Sequence, residues 1–203
     1  LWPGLAHGSL DLLIAERKNI VKNIYQKIFF LFIYILVSIL FFFSWISSPN
    51  LIFLIFLLIS FLHFGLGDSL SLNDITEKIL ETIIRGSIII SIPIQFHFEE
   101  TSSIFKILLA DTLLLENIKE INQLYLIFVI FISVSWLIKN LIKYNILFFK
   151  QKVFLELSLL LFCFYFFEPL ISFFTYFCFL HSIRHISDEK EFLKLNSKNL
   201  FLK

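Results

Sequence analysis

The sequence is poor in charged residues and in cysteine. Only 16% of the 203 residues are charged, whereas about a quarter are charged in an average globular domain. The formal net charge is +1, so there is no electrostatic basis for binding nucleic acid. The two cysteines, Cys163 and Cys178, both lie inside apolar runs. This placement favours small buried side chains over a disulfide or a metal ligand.

Methionine is absent too, and the chain begins at Leu1 with a short apolar stretch. We therefore expect that the natural N-terminus is missing from this sequence. Residues 4–15 would then be the remainder of a first helix.

In place of charge, the chain has long hydrophobic runs. Hydrophobic residues make up 58% of it, and the mean hydropathy is +0.87. A helix needs roughly 20 apolar residues to cross a bilayer. We predict an all-α, polytopic transmembrane helical bundle in which residues 1–203 form a single integral-membrane domain. About seven crossings are expected, at residues 4–15, 28–45, 51–66, 83–98, 124–138, 153–167 and 170–186.

The distribution of positive charge predicts how these helices are oriented. Lysine and arginine crowd the loop after the first run and the segment 139–152, while the loops at 47–50 and 99–103 have none. Basic loops of membrane proteins stay in the cytoplasm. The basic loops share one side only if the weakly apolar stretch 104–115 lies along the membrane surface. We therefore predict a multi-pass protein of the cell inner (plasma) membrane, with its first loop and C-terminal tail cytoplasmic.

Some residues in or beside these runs carry local predictions. Pro93 is expected to break the run at 83–98. Lys78 and Arg85 are assigned to the third, basic loop. Trp45 and Trp136 fit the aromatic belts at the two membrane interfaces.

Four of the five histidines occur in three short motifs in or at the end of apolar runs. The motifs are His7-Gly8-Ser9-Leu10-Asp11, His63-Phe64-Gly65-Leu66-Gly67-Asp68 and His181-Ser182-Ile183-Arg184-His185. Hydrocarbon cannot hydrogen-bond polar side chains, so ionisable residues inside a membrane indicate function. The predicted orientation places all four in the cytoplasmic half of the bilayer, with His7 about 13 Å from the first basic loop at helical rise. We therefore predict that they share one metal ion.

The spacing of the last two histidines supports this prediction, although it is weak by itself. His181 and His185 are four residues apart, so they project from one face of a helix. His97 lies at the opposite end of its helix and cannot join the other four. We expect it to form a hydrogen bond between helices or to lie at the interface.

Two aspartates follow the other two histidines. Asp11 comes four residues after His7, and Asp68 comes five residues after His63. A metal-bound imidazole usually donates its second N–H to a carboxylate or carbonyl, and both aspartates suit that role. The alternative is that they cap helices or face water.

The histidines alone do not identify the metal, because imidazole binds iron, copper, zinc and nickel. Four nitrogen ligands on an octahedral ion leave two open positions, which an oxygen-using iron centre needs. Two other functions are compatible with the pattern: a haem-binding membrane electron-transfer protein, or a proton-coupled transporter. A di-iron desaturase or hydroxylase fits less well, because such sites use more histidines than the five in this chain.

Four segments of the chain match the sequence motifs of a known protein family. These are Pro3-Gly4 with the His7 motif, His63-Phe64-Gly65 with Asp68, residues 174–185, and, more loosely, Arg85-Gly86 through Pro93 to His97. Here the chain resembles the Brp/Blh family of membrane β-carotene 15,15′-dioxygenases. The resemblance extends over nearly the whole chain in order.

The resemblance implies a specific reaction. β-Carotene or a related carotenoid would be cleaved with O₂ at its central 15,15′ double bond, giving two molecules of all-trans retinal. It implies an Fe(II) ion held by His7, His63, His181 and His185, in a protein surrounded by membrane lipid. It further implies that retinal is passed to a microbial rhodopsin. We predict no catalytic side chain beyond the metal ligands.

Overall fold

The computed structural model describes residues 11–71, 74–108 and 111–193, except for the side chains of residues 13 and 188–193. Within these ranges every regular element is helical, which confirms the predicted all-α class. The helices are α1 (Asp11–Arg17), α2 (Ile24–Ser47), α3 (Pro49–Gly67), α4 (Ile75–Phe96), α5 (Phe98–Ile107), α6 (Thr112–Tyr144), α7 (Lys152–Phe166), α8 (Pro169–Tyr176) and α9 (Ser182–Leu193). A 3₁₀ segment (Asn145–Lys150) joins α6 to α7, and a π-turn (Phe177–His181) joins α8 to α9.

Among the described residues, four segments are long and apolar enough to cross a membrane. They are Ile24–Ser47, Pro49–Gly67, Ile75–Phe96 and Thr112–Lys150. The chain is therefore a helical membrane protein, as predicted. Helix α5 has ten residues and rises about 15 Å, half of the hydrocarbon thickness, so it is too short to cross a membrane by itself. The surface position of residues 104–115 stays a prediction, and residues 112–115 belong to α6. Seven crossings in total remain a prediction.

The starts of three helices are determined by side-chain caps. The Asn23 side chain accepts a hydrogen bond from the Gln26 N–H at 3.0 Å, at the start of α2. Asp74 accepts from the Thr76 N–H at 2.9 Å and begins α4. Asp111 begins α6 in the same way. Asparagine and aspartate are preferred at this position because they satisfy N–H groups that have no partner within the helix.

The early start of α4 corrects the prediction of a third basic loop. Lys78 and Arg85 lie inside α4, not in a loop. Arg85 is completely buried, and its charge is compensated by Glu81 one turn earlier. The predicted break at Pro93 was also wrong, because α4 continues to Phe96. The Pro93 carbonyl accepts hydrogen bonds from the His97 N–H and the Thr101 hydroxyl, so this carbonyl at the end of α4 has partners.

The segment 139–152 is more helical than predicted, since α6 extends to Tyr144. Lys139 therefore lies on α6, where its Nζ is 2.6 Å from Glu77 Oε1. Trp136 packs inside the protein, and its place in an interfacial belt stays a prediction. Its side chain is buried, and its indole N–H donates to Glu77 Oε2 at 2.8 Å. A buried acceptor on a neighbouring helix explains this position, because a buried indole N–H needs a partner.

The chain divides into two compact units. The first comprises the described parts of Leu1–Ser48 and Thr175–Lys203, and the second is Pro49–Phe174. In the second unit α4 is the central helix and packs against α3, α6 and α7. In the most apolar stretch of α4, 67% of the residues are buried inside the protein. The corresponding share is 17% for α3 and 22% for the segment that contains α6.

Candidate metal centre

His181 and His185 lie where the helix type changes. The Ser182 N–H bonds to the Phe177 carbonyl, five residues back, so His181 closes a π-turn and His185 lies in the first turns of α9. Their ring centroids are 6.5 Å apart. Single π-turns occur frequently at functional sites. The structure therefore brings two of the four predicted ligands together.

Aromatic rings surround His181. Its side chain is only 1% exposed. The ring of Phe177 stacks on it at 5.8 Å, and the ring of Tyr176 lies at the same distance with a 36° tilt. Cys178, in the same π-turn, is a buried free thiol, as predicted. This packing holds the imidazole plane in one orientation and keeps water away from it.

The other two predicted ligands are His63 and His7. His63 is near the end of α3 in the second unit, with an exposed ring 5.2 Å from that of Phe64. His7 lies outside the described residues. Among the side chains that the structure describes, no three His, Cys, Asp or Glu groups form a metal-sized cluster. A centre formed by all four histidines therefore remains a prediction.

The two aspartates differ in their surroundings. Asp68 directly follows α3 and is 1% exposed, so it does not face water. Asp11 is half-buried at the start of α1. Hydrogen bonds from metal-bound histidines to these two carboxylates remain a prediction.

His97 joins two helices, as predicted. Its Nε2 lies 2.9 Å from the Tyr165 carbonyl oxygen. The bond connects the end of α4 to α7. One of the two ring nitrogens of His97 is therefore used in a contact between helices.

A buried ion network on α4 was missed by the sequence analysis. Arg85 donates from Nε to Glu81 Oε1 at 2.7 Å and from Nη2 to Glu156 Oε2 at 2.9 Å. Glu81 and Arg85 are completely buried. The signal was present in the sequence, because a charged pair four residues apart at an apolar run is the spacing of an intrahelical ion pair.

Apolar cavities lie in the second unit. One of about 360 Å³ is lined by α3 residues Phe56, Leu57, Ser60 and Phe64, and by residues of α4, α5, α7 and α8. Another, of about 700 Å³, is lined by residues of α4, α6 and α7. Both have almost entirely hydrocarbon walls. Such walls suit a ligand without charge or hydrogen-bonding groups.

The family model described as beta-carotene 15,15'-dioxygenase matches residues 1–203. The chain belongs to this family. A protein named beta-carotene 15,15'-dioxygenase from an uncultured marine bacterium, 66A03, is 32% identical over 208 residues. That match covers 98% of this chain and 70% of the relative. No solved structure matches the chain.

Membership confirms the family predicted from the histidine motifs. Enzymes of the beta-carotene 15,15'-dioxygenase family are carotenoid-cleaving dioxygenases, a class of oxidoreductase. The apolar cavities and the membrane helices are consistent with a substrate that dissolves in hydrocarbon.

Proposed function

We propose that this chain cleaves β-carotene, or a closely related carotenoid, at its central 15,15′ double bond with O₂, forming two molecules of all-trans retinal. The observation that carries the proposal is the family match along all 203 residues. We further propose that the enzyme resides in the cell inner membrane, in contact with lipid, and that its retinal is passed to a microbial rhodopsin.

The proposed cofactor is Fe(II), held by His7, His63, His181 and His185 in the cytoplasmic half of the bilayer. The donor chemistry fits, because imidazole nitrogens bind iron and the rings of His181 and His185 are only 6.5 Å apart by their centroids. When bound, iron would supply the redox chemistry for the reaction of O₂ with a carbon–carbon double bond.

The protein's own residues position and protect this chemistry. The π-turn and its aromatic rings orient His181 and exclude water from it. Asp11 and Asp68 would accept the second N–H of His7 and His63, which fixes the tautomer of each imidazole. No side chain is needed as a general acid or base.

The cavity lined by Phe64 supports the choice of substrate. Its walls are apolar, and Phe64 is the direct neighbour of His63 along α3. Part of a long hydrocarbon lying in this cavity would pass close to the His63 end of α3. The membrane location also supports this substrate, because carotenoids dissolve in the hydrocarbon core of the bilayer.

The test is expression of the chain in a bacterium that accumulates β-carotene. We expect loss of the yellow colour and formation of retinal, measured by chromatography. A His181→Ala variant inserted in the membrane to the same level is the matched control and should leave the pigment unchanged. Unchanged pigment with the wild-type chain would contradict the proposal, and a Soret band in the purified protein would favour a haem protein instead.

A further inference from the structure

Glu81 is a buried acceptor for the segment that follows α3. Its carboxylate accepts hydrogen bonds from the Ser69 hydroxyl at 3.1 Å and from the backbone N–H groups of Leu70 and Ser71, each at 3.0 Å. The Glu81 side chain is completely buried. The three donors come immediately after Asp68, so one carboxylate on α4 determines the path of the chain where it leaves α3.

Arg85 holds this carboxylate in place. Its Nε donates to Glu81 Oε1 at 2.7 Å, and its Nη2 donates to Glu156 Oε2 on α7 at 2.9 Å. Bonds between ionised groups are stronger than those between neutral groups. The carboxylate is therefore anchored through Arg85 to a third helix, α7.

Two glycines bring α3 and α4 together beside the same pair of residues. A β-carbon at Gly65 would lie 2.5 Å from the carbonyl oxygen of Thr82, which follows Glu81. A β-carbon at Gly86, which follows Arg85, would lie 2.7 Å from the Phe61 carbonyl oxygen. Small residues allow such close helix contacts in membranes. The close approach at the two glycines and the buried carboxylate therefore define one register of α3 on α4.

We propose that Glu81, held by Arg85, is a positioning residue for the metal-binding end of α3. It fixes the segment around Asp68 and thereby the place of His63 relative to α4. This inference rests on the proposed function, in which His63 is an iron ligand. Neither Glu81 nor Arg85 contacts the metal in this proposal, so their effect is on metal affinity and coordination rather than on a reaction step.

The test measures metal binding by the purified full chain in lipid nanodiscs. Glu81→Gln removes the charge and presents an amide N–H₂ group to the donors of residues 69–71. We expect the dissociation constant for Fe(II) to rise about 10–100-fold, the effect typical of losing a partner outside the ligand shell. Co(II) in place of Fe(II) should show a shifted visible absorption band, because the coordination of the ion changes.

Glu77→Gln is the matched control. Glu77 is a buried carboxylate one turn earlier on α4, but its partners, Trp136 and Lys139, are on α6. We expect the metal affinity and the Co(II) spectrum of the Glu77→Gln variant to match those of the wild type. Equal changes in the Glu77 and Glu81 variants would show a general loss of structure and overturn the proposal.

A milder variant keeps the test informative if Glu81→Gln fails to fold. Ser69→Ala removes a single donor to Glu81, and we expect a smaller loss of metal affinity in the same direction. Wild-type affinity in both Ser69→Ala and Glu81→Gln would overturn this proposal while leaving the iron centre intact. If the wild-type chain binds no stoichiometric metal, the iron centre and the positioning role are both overturned.

Discussion

Gly65 of α3 lies directly against the backbone of Thr82 of α4, with room for a hydrogen but not for a methyl group. A β-carbon added at Gly65 would lie 2.5 Å from the Thr82 carbonyl oxygen. The neighbouring atom belongs to the backbone of α4, the most buried of the candidate membrane-spanning helices, so it cannot move aside as a flexible side chain would. The contact therefore keeps α3, which carries His63, at one distance from α4.

The first prediction concerns this contact. In an open helix, Gly→Ala stabilises by about 1 kcal/mol, but here we expect Gly65→Ala to destabilise the protein by about 1–3 kcal/mol, the usual cost of overpacking. The measurement is thermal unfolding in detergent. Leu66→Ala, at a half-exposed neighbouring position, is the control and should change the midpoint less. An unchanged or higher midpoint for Gly65→Ala would show that the helices separate easily.

The second prediction compares His181, a proposed iron ligand, with His97, a histidine in a contact between helices. His181→Ala should weaken iron binding by more than ~100-fold, exceeding the loss caused by removing an outer hydrogen-bond partner. His97→Ala should keep its iron, because His97 bonds to the Tyr165 carbonyl oxygen. Iron per protein molecule, measured by elemental analysis after purification, gives the comparison. Equal iron retention in the two variants would refute the choice of ligands.

The third prediction is a dependence of stability on pH through Asp74. Hydrogen bonds from the backbone N–H groups of Glu77 and Thr76 hold the pKa of Asp74 below its ordinary value of 3.8. The charged form is thus favoured by folding, so its contribution is present above the unfolded pKa and is lost as the pH falls through the lower folded pKa.

Asp74→Asn tests this pH dependence, because asparagine is also a good N-cap but does not titrate. We expect the variant to lose less stability than the wild type when the pH is lowered from about 5 to below the ordinary aspartate pKa. Unfolding midpoints at a series of pH values provide the measurement. Parallel curves for the two proteins would exclude a role for the Asp74 charge.

Some of this architecture follows from the sequence, because hydrocarbon imposes simple rules. Long apolar runs must be helical to satisfy their backbone groups, and the helical class was predicted on that basis. The contacts of Arg85 with Glu156 and of Trp136 with Glu77 were not predicted, because these partners are far away in the sequence. Glu156 is 71 residues from Arg85, and Glu77 is 59 residues from Trp136.

In the candidate site, too, some features could be predicted from the sequence and others could not. The pairing of His181 with His185 follows from a spacing of four residues, which sequence shows directly. The π-turn that ends at His181 could not be predicted from the sequence. The two histidines would be four residues apart in an uninterrupted α-helix as well. The role of Glu81 beside α3 was overlooked because two of its four donors are backbone N–H groups, which have no sequence signature.

The last prediction tests the cavity as the place where the carotenoid lies. Leu57 lines the cavity beside Phe64, so Leu57→Trp should fill part of it and lower kcat/KM for β-carotene by about 10-fold or more, the scale on which shape changes in an apolar pocket discriminate. Leu58→Trp, at the adjacent, exposed position of α3, is the matched control and should stay near wild type. Iron content is measured in both variants, because the cavity substitution should spare it. If both variants cleave β-carotene at the wild-type rate, the carotenoid does not occupy this cavity, because a tryptophan there would obstruct it.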